Sequence, residues 1–110
     1  MSALTTHVLD TALGRPAAGV AVRLERLRDG EPVELGNGIT DVDGRIEHLG
    51  PDHLEITTHR LVFDVASYAR STGQTYFLAA VDITFTPTGD GRLHVPLLLS
   101  PFACSAYRGS

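Results

Sequence analysis

Apolar residues recur at every second position along much of this chain, the period of a strand that buries one face. In LTTHVLD, Leu4, Thr6 and Val8 share one face, while Thr5, His7 and Leu9 share the other. VAVRLERL sets Val20, Val22 and Leu24 against Ala21, Arg23 and Glu25, and HRLVFDV turns Leu61, Phe63 and Val65 inward. AVDITFT repeats the pattern with Val81, Ile83 and Phe85 against Asp82, Thr84 and Thr86. In RLHVPLLLS, Leu93, Val95, Leu97 and Leu99 form a core face, which leaves Arg92, His94, Pro96 and Leu98 on the opposite one. A proline in a strand suits an edge or a bulge. The neighbours of Pro96 are too apolar for an exposed edge, which points to a partner subunit over that face.

Between these runs lie the turn signals LGRPAAG, DGEP, GNG, DVDG, PTGDG and LSP. Short strands with frequent Gly/Pro turns predict a β-sandwich or a barrel. DVASYARSTG departs from the pattern, with Asp64 placed as an N-cap and Gly73 as a C′ residue, so a short helix is expected there. The expected fold is an all-β, compact antiparallel sandwich with one helix. No repeat or linker divides it, so residues 1–110 read as a single domain.

Composition narrows the function classes. The 110 residues suit one domain, and 43% hydrophobic residues suffice for a core. A net charge of −4 with no Lys/Arg cluster argues against a nucleic-acid partner. The longest apolar stretch, VPLLL, falls far short of the ~20 residues that span a bilayer, so no membrane partner is expected. A single cysteine allows no internal disulfide, and MSALTTHVLD has neither a basic start nor a following apolar run. A cytoplasmic protein is the expectation.

Strand parity locates the candidate chemistry. If the leucines of RLHVPLLLS fill the core, His94 points out of the opposite face, and His7 is out of register with Leu4 and Val8. Ser105 and Tyr107 share a face in the closing run. Taken singly, each group has a plain reading: a solvated strand histidine, or an Arg45 that caps a turn in DVDGR. His48, His53 and His59 are spaced five and six apart, match no helical H-x3-H pair, and predict no metal centre. LLSPF is not a nucleophile elbow, and no Gly-rich phosphate loop occurs.

Three segments in order, THVLDTALGRPAAGVAVRLERL, TDVDGRI and HVPLLLSPFACSAYRGS, resemble the transthyretin-like 5-hydroxyisourate hydrolases over nearly the whole chain. The YRGS tetrapeptide sides with the enzymes, because hormone-carrying transthyretins share the fold without it. The resemblance implies an eight-stranded sandwich with a short helix. It also implies a homotetramer, a dimer of dimers, with sites in a channel at the subunit interface.

Matched residue by residue, the resemblance implies catalytic roles for His7, Arg45, His94 and Ser110. It implies binding of a small purine-derived substrate by His7, Arg45, Tyr107 and Ser110, with no metal or other cofactor. The expected reaction is hydrolysis of 5-hydroxyisourate by water that His7 and His94 activate, with Arg45 facing the oxyanion. Which histidine takes the proton stays open. Tyr107 would wall the flat ring, and Gly109 would let the tail turn inward. Arg92 stands where family members commonly carry His, and Cys104 where they carry an aromatic residue. The alternative is a transthyretin-type carrier that binds a small ligand without turnover.

Overall fold

The structure is a computed structural model that describes residues 2–89 and 91–109. Its elements, in chain order, begin with β1 (Leu4–Asp10), β2 (Arg15–Pro16), β3 (Ala21–Arg28), β4 (Glu31–Ile39) and β5 (Arg45–Ile46). There follow β6 (His59–Asp64), α1 (Val65–Ser71), β7 (Ala80–Phe85), β8 (Leu93–Leu99) and β9 (Cys104–Ala106). One sheet runs β2-β1-β8-β9, with β5 also on β1, and the other runs β4-β3-β6-β7. The expected all-β sandwich with one short helix therefore forms. Two of its strands, β2 and β5, are only two residues long.

Alternation decides what lies between the sheets. Leu4, Val8, Leu24, Leu61, Phe63, Leu97 and Leu99 are all fully buried. Each contributes roughly 1.5–3 kcal/mol of transfer free energy. Thr6 shares the inward face of β1, and its hydroxyl donates to the Val95 carbonyl at 2.7 Å, so its burial leaves no polar group unpaired. Within the first sheet, β1 and β8 run parallel, pairing Thr5 with His94, Thr6 with Val95 and His7 with Pro96. Alternation within single segments carries no information about that pairing.

Pro96 lies on an interior strand, not on an edge. Its carbonyl accepts from Tyr107 N–H at 3.4 Å, but proline has no N–H to return the bond. The β8–β9 ladder accordingly stops at Leu97–Ala106 and resumes as an isolated bridge between His94 and Gly109.

The edge strand β4 falls on residues that read as turns. Pro32 is tolerated there because an edge strand has a free side. Gly36 is required by crowding, since a Cβ on it would stand 2.7 Å from the backbone of Gly50. Leu35 is the extra residue where the β3–β4 register slips, and it packs against the core. On the outer face, Glu25 is buried between Arg23 and Arg60, each at 2.8 Å.

The helix begins as its sequence predicts. Asp64 accepts from Ser67 N–H at 3.1 Å and from the Ser67 hydroxyl at 2.9 Å. Gly73 follows the C-cap Thr72 with φ of 70°. One buried carboxylate ties the helix to β1. Asp10, 1% exposed, accepts from the Tyr68 hydroxyl at 2.6 Å, Gln74 Nε2 at 3.0 Å, and the amides of Ala12 and Leu13 at 2.9 Å. Burial pushes its pKa up, but these four donors outweigh burial and hold it below the ordinary 3.8. Burial and the nearby carboxylate together raise the Tyr68 phenol, so it stays a donor.

Removing that donor tests the hub. Tyr68→Phe is expected to lower stability by about 1.5–3 kcal/mol near neutral pH, read from the urea midpoint. Because folding lowers the Asp10 pKa, its stabilising contribution is present above about pH 4 and disappears as pH falls through the lowered folded-state value. The gap between parent and variant should therefore narrow in acid. A constant gap down to pH 2 would show that the ionised carboxylate is not what Tyr68 stabilises.

Candidate active site

The parallel register of β1 and β8 gathers residues far apart in sequence. The outward residues Thr5 and His7 of β1 lie beside the outward His94 and Pro96 of β8. On the opposite edge of β1, β5 sets Arg45 directly across from His7. His7, Arg45 and His94 therefore share the outer face of one sheet; parity predicts this for His94, and the burial of Leu4 and Val8 settles it for His7, whose strand offers no clear core face in the sequence.

The DVDGR turn explains how Arg45 arrives there. The Asp41 carboxylate accepts from the amides of Asp43 at 2.9 Å and Arg45 at 3.0 Å, closing the turn. Gly44 adopts φ of 75°, a conformation that side chains disfavour, and its carbonyl accepts from Val8 N–H at 2.7 Å. The turn is thus fastened to β1. Among the described residues, the Arg45 guanidinium makes no ion pair, which leaves its donors for the cleft.

That cleft has a volume of about 590 Å³, and Thr5, Arg45, Glu47, His48, Arg92 and His94 are among its lining residues. Thr5, His48 and Arg92 were not among the site residues expected from sequence. Thr5 shares the parity of His7, a usable signal, but its neighbour His94 becomes visible only once β1 and β8 are paired. Arg92 shares the parity of His94, and His48 lies just beyond the two-residue strand that carries Arg45.

His94 is half-buried, and a hydrogen bond of 2.7 Å links its Nδ1 to Thr5 Oγ1. Burial lowers its pKa below the ordinary 6.5; the charges of Arg45 and His7 lower it further, against an opposing hydrogen-bond contribution from the Thr5 backbone. The imidazole is consequently held neutral near pH 7, the form that accepts a proton.

The closing segment divides. Gly109 N–H donates to the His94 carbonyl at 2.7 Å, so the chain runs back beside the histidine. Tyr107 is 56% exposed and lines a separate apolar groove with Ile83, Phe85 and Val95. Within this protomer it does not join the cleft of Arg45 and His94. Ser110, expected from sequence to act in the site, lies outside the described residues.

The chain is similar to known proteins over nearly its whole length. Residues 4–109 match the family described as HIUase/Transthyretin. The chain is 44% identical to the 5-hydroxyisourate hydrolase of Mus musculus over 113 residues, covering 99% of this chain and 96% of the mouse protein. Its fold is similar to Klebsiella pneumoniae 5-hydroxyisourate hydrolase, with a TM-score of 0.84, 34% identity, and coverage of 97% and 98% of the two chains. It is also similar to sea bream transthyretin in complex with thyroxine, with a TM-score of 0.90, 28% identity, and coverage of 96% and 93%.

The electrostatic link between Arg45 and His94 can be measured directly. In Arg45→Met the His94 midpoint should rise toward 6.5, followed by ring-proton resonances across a pH titration. A midpoint unchanged from the parent would remove Arg45 as a source of the shift.

Proposed function

The chain belongs to the HIUase/transthyretin family, and from that membership we propose that it is a hydrolase acting on 5-hydroxyisourate in urate breakdown. The product is 2-oxo-4-hydroxy-4-carboxy-5-ureidoimidazoline. The observation that carries this reading is a His94 that lines one cleft with Arg45, on the sheet face that also carries His7, in a chain whose hydrolase relative from mouse matches 99% of it.

Water is a poor nucleophile at neutral pH, and a histidine whose pKa lies near or below 7 supplies the missing base. His7 and His94 hold the water, and one of the pair takes its proton as the water oxygen bonds to the ring carbonyl carbon. Negative charge then grows on the carbonyl oxygen, where the fixed fork of Arg45 stabilises it. Collapse of the tetrahedral intermediate breaks the carbon–nitrogen bond of the six-membered ring. The base returns its proton to the departing nitrogen, and the former carbonyl carbon stays on the five-membered ring as a carboxylic acid, which loses its remaining proton to solvent to become the carboxylate. Tyr107 and Ser110 complete substrate binding in this reading. The course of Gly109 beside His94 supports a place for Ser110, and a neighbouring subunit would bring Tyr107 to a channel.

The proposed assembly is a homotetramer, a dimer of dimers, with each site completed at the subunit interface. Support comes from the outer face of β8, where the half-buried Leu98 accompanies His94, although Pro96, expected from sequence to need a partner's cover, is already buried by this chain with Gly109 close by. Phe77 and Phe102 add to it, 78% and 79% exposed on segments joined by the Phe77 N–H to Pro101 carbonyl bond. With one cysteine, the chain needs no oxidising compartment to fold, which suits the cytoplasm.

The near-ultraviolet decay of freshly generated 5-hydroxyisourate tests the assignment. The parent should accelerate the decay over the spontaneous rate. His7→Ala, Arg45→Ala and His94→Ala should each lose about 10²–10⁴-fold while keeping the parent's far-ultraviolet circular dichroism. No acceleration by folded parent protein would replace this reading with the carrier, which the likeness to thyroxine-bound transthyretin favours.

A further inference from the structure

The two histidines differ in what surrounds them, and the surroundings of His94 settle its part. Thr5 stands next to it across the β1–β8 ladder, with Oγ1 2.7 Å from Nδ1. The other edge of the ring rests on Gly109. A Cβ at that position would lie 2.8 Å from His94 Cδ2 and 3.4 Å from Cγ, so any larger residue would displace the imidazole. The same glycine is bonded through its N–H to the His94 carbonyl at 2.7 Å. Nδ1 and the Cγ–Cδ2 edge are thereby engaged. Nε2 is left as the ring nitrogen without a hydrogen-bond partner among the described residues.

Which nitrogen carries the proton depends on the other's partner and on the local field. A hydroxyl can accept from Nδ1–H or donate to bare Nδ1, so the contact alone allows both tautomers. The field favours one of them. His94 lines the same cleft as the permanently charged Arg45, and a cation favours a lone pair over an N–H on the ring nitrogen that Thr5 leaves unbonded.

We propose that Thr5 is a positioning residue: it accepts the Nδ1 proton of His94, fixes Nε2 as the bare nitrogen, and so makes His94 the base of the pair. Gly109 is the seat that admits the ring in this orientation. The role assigned to Nε2 rests on the hydrolase reading of the cleft, while the tautomer and its dependence on Thr5 do not. Thr5→Val keeps the shape of the side chain and removes its oxygen; Thr5→Ser keeps the hydroxyl.

Long-range proton–nitrogen spectra of protein labelled with ¹⁵N-histidine read the tautomer directly, with His94→Gln supplying the assignment. The parent at pH 8 should show His94 protonated at Nδ1 and bare at Nε2. Thr5→Val should show a mixture, and Thr5→Ser the parental state. In the decay assay, Thr5→Val should lose on the order of 10–100-fold in kcat with KM nearly unchanged, the signature of an outer group that orients the reacting one. Thr5→Ser should recover most of it, and Gly109→Ala should lose activity with the hydroxyl intact. A parent carrying its proton on Nε2 would overturn the proposal, as would Thr5→Val with both parental tautomer and parental kcat. The parent spectrum requires no variant to fold. A parent with the expected tautomer but no turnover would sink the hydrolase reading and leave the Thr5–His94 arrangement standing.

Discussion

The cleft depends on one ladder, the in-register parallel pairing of β1 with β8 from Leu4–Leu93 to Asp10–Leu99. With a side-chain period of two, a slip of one residue would turn His94 into the core and Val95 out to the surface. The register is held from the buried side, by Leu4, Val8, Leu97 and Leu99 at zero exposure and by the Thr6 hydroxyl on the Val95 carbonyl. Four such apolar side chains contribute roughly 1.5–3 kcal/mol each, against about 1 kcal/mol for a typical single hydrogen bond. The core therefore dictates the geometry of the chemistry, and the contact between Thr5 and His94 is a product of that register rather than its cause.

In the proposed mechanism Arg45 serves two ends with one charge. A guanidinium aimed at a developing oxyanion is useful only if the nearby base stays unprotonated until water is attacked. The charge that stabilises the intermediate also disfavours imidazolium at His94. Tying the DVDGR turn to β1 through Gly44 and Val8 keeps both effects at one place. The cleft also contains Arg92, whose charge adds to that of Arg45, and Glu47, whose charge opposes both.

Local pattern was enough for much of the fold. β1, β6, β7 and β8 announce themselves by alternation, and α1 by Asp64 at its start and Gly73 past its end. β4 did not, because Pro32, Gly36 and Gly38 are turn residues by any local rule. Gly36 is glycine because the backbone at Gly50 passes too close for a Cβ, a tertiary fact with no local trace. The same divide runs through the site. Parity alone sends His94 outward, and sets His7 on the face opposite Leu4 and Val8 without saying which face meets the core. That Thr5 touches His94, and that Tyr107 occupies a different groove, follows from pairings between distant segments.

The ladder also has a consequence for the order of assembly. Thr5 and His94 are 89 positions apart, and β3, β4, β6 and β7, which build the opposite sheet, all lie between them. As the chain emerges from the ribosome, β1 appears first, yet one of its edges has no strand to pair with until β8 follows. For that interval its unpaired edge and apolar face are the kind of surface that chaperones hold and aggregates recruit. Such long-range pairing is slow to form, because loop closure comes before any contact rewards it. A ribosome-bound chain halted before His94 would have every strand of one sheet, and would carry Thr5, His7 and Arg45 without the histidine that joins them on the outer face of the other.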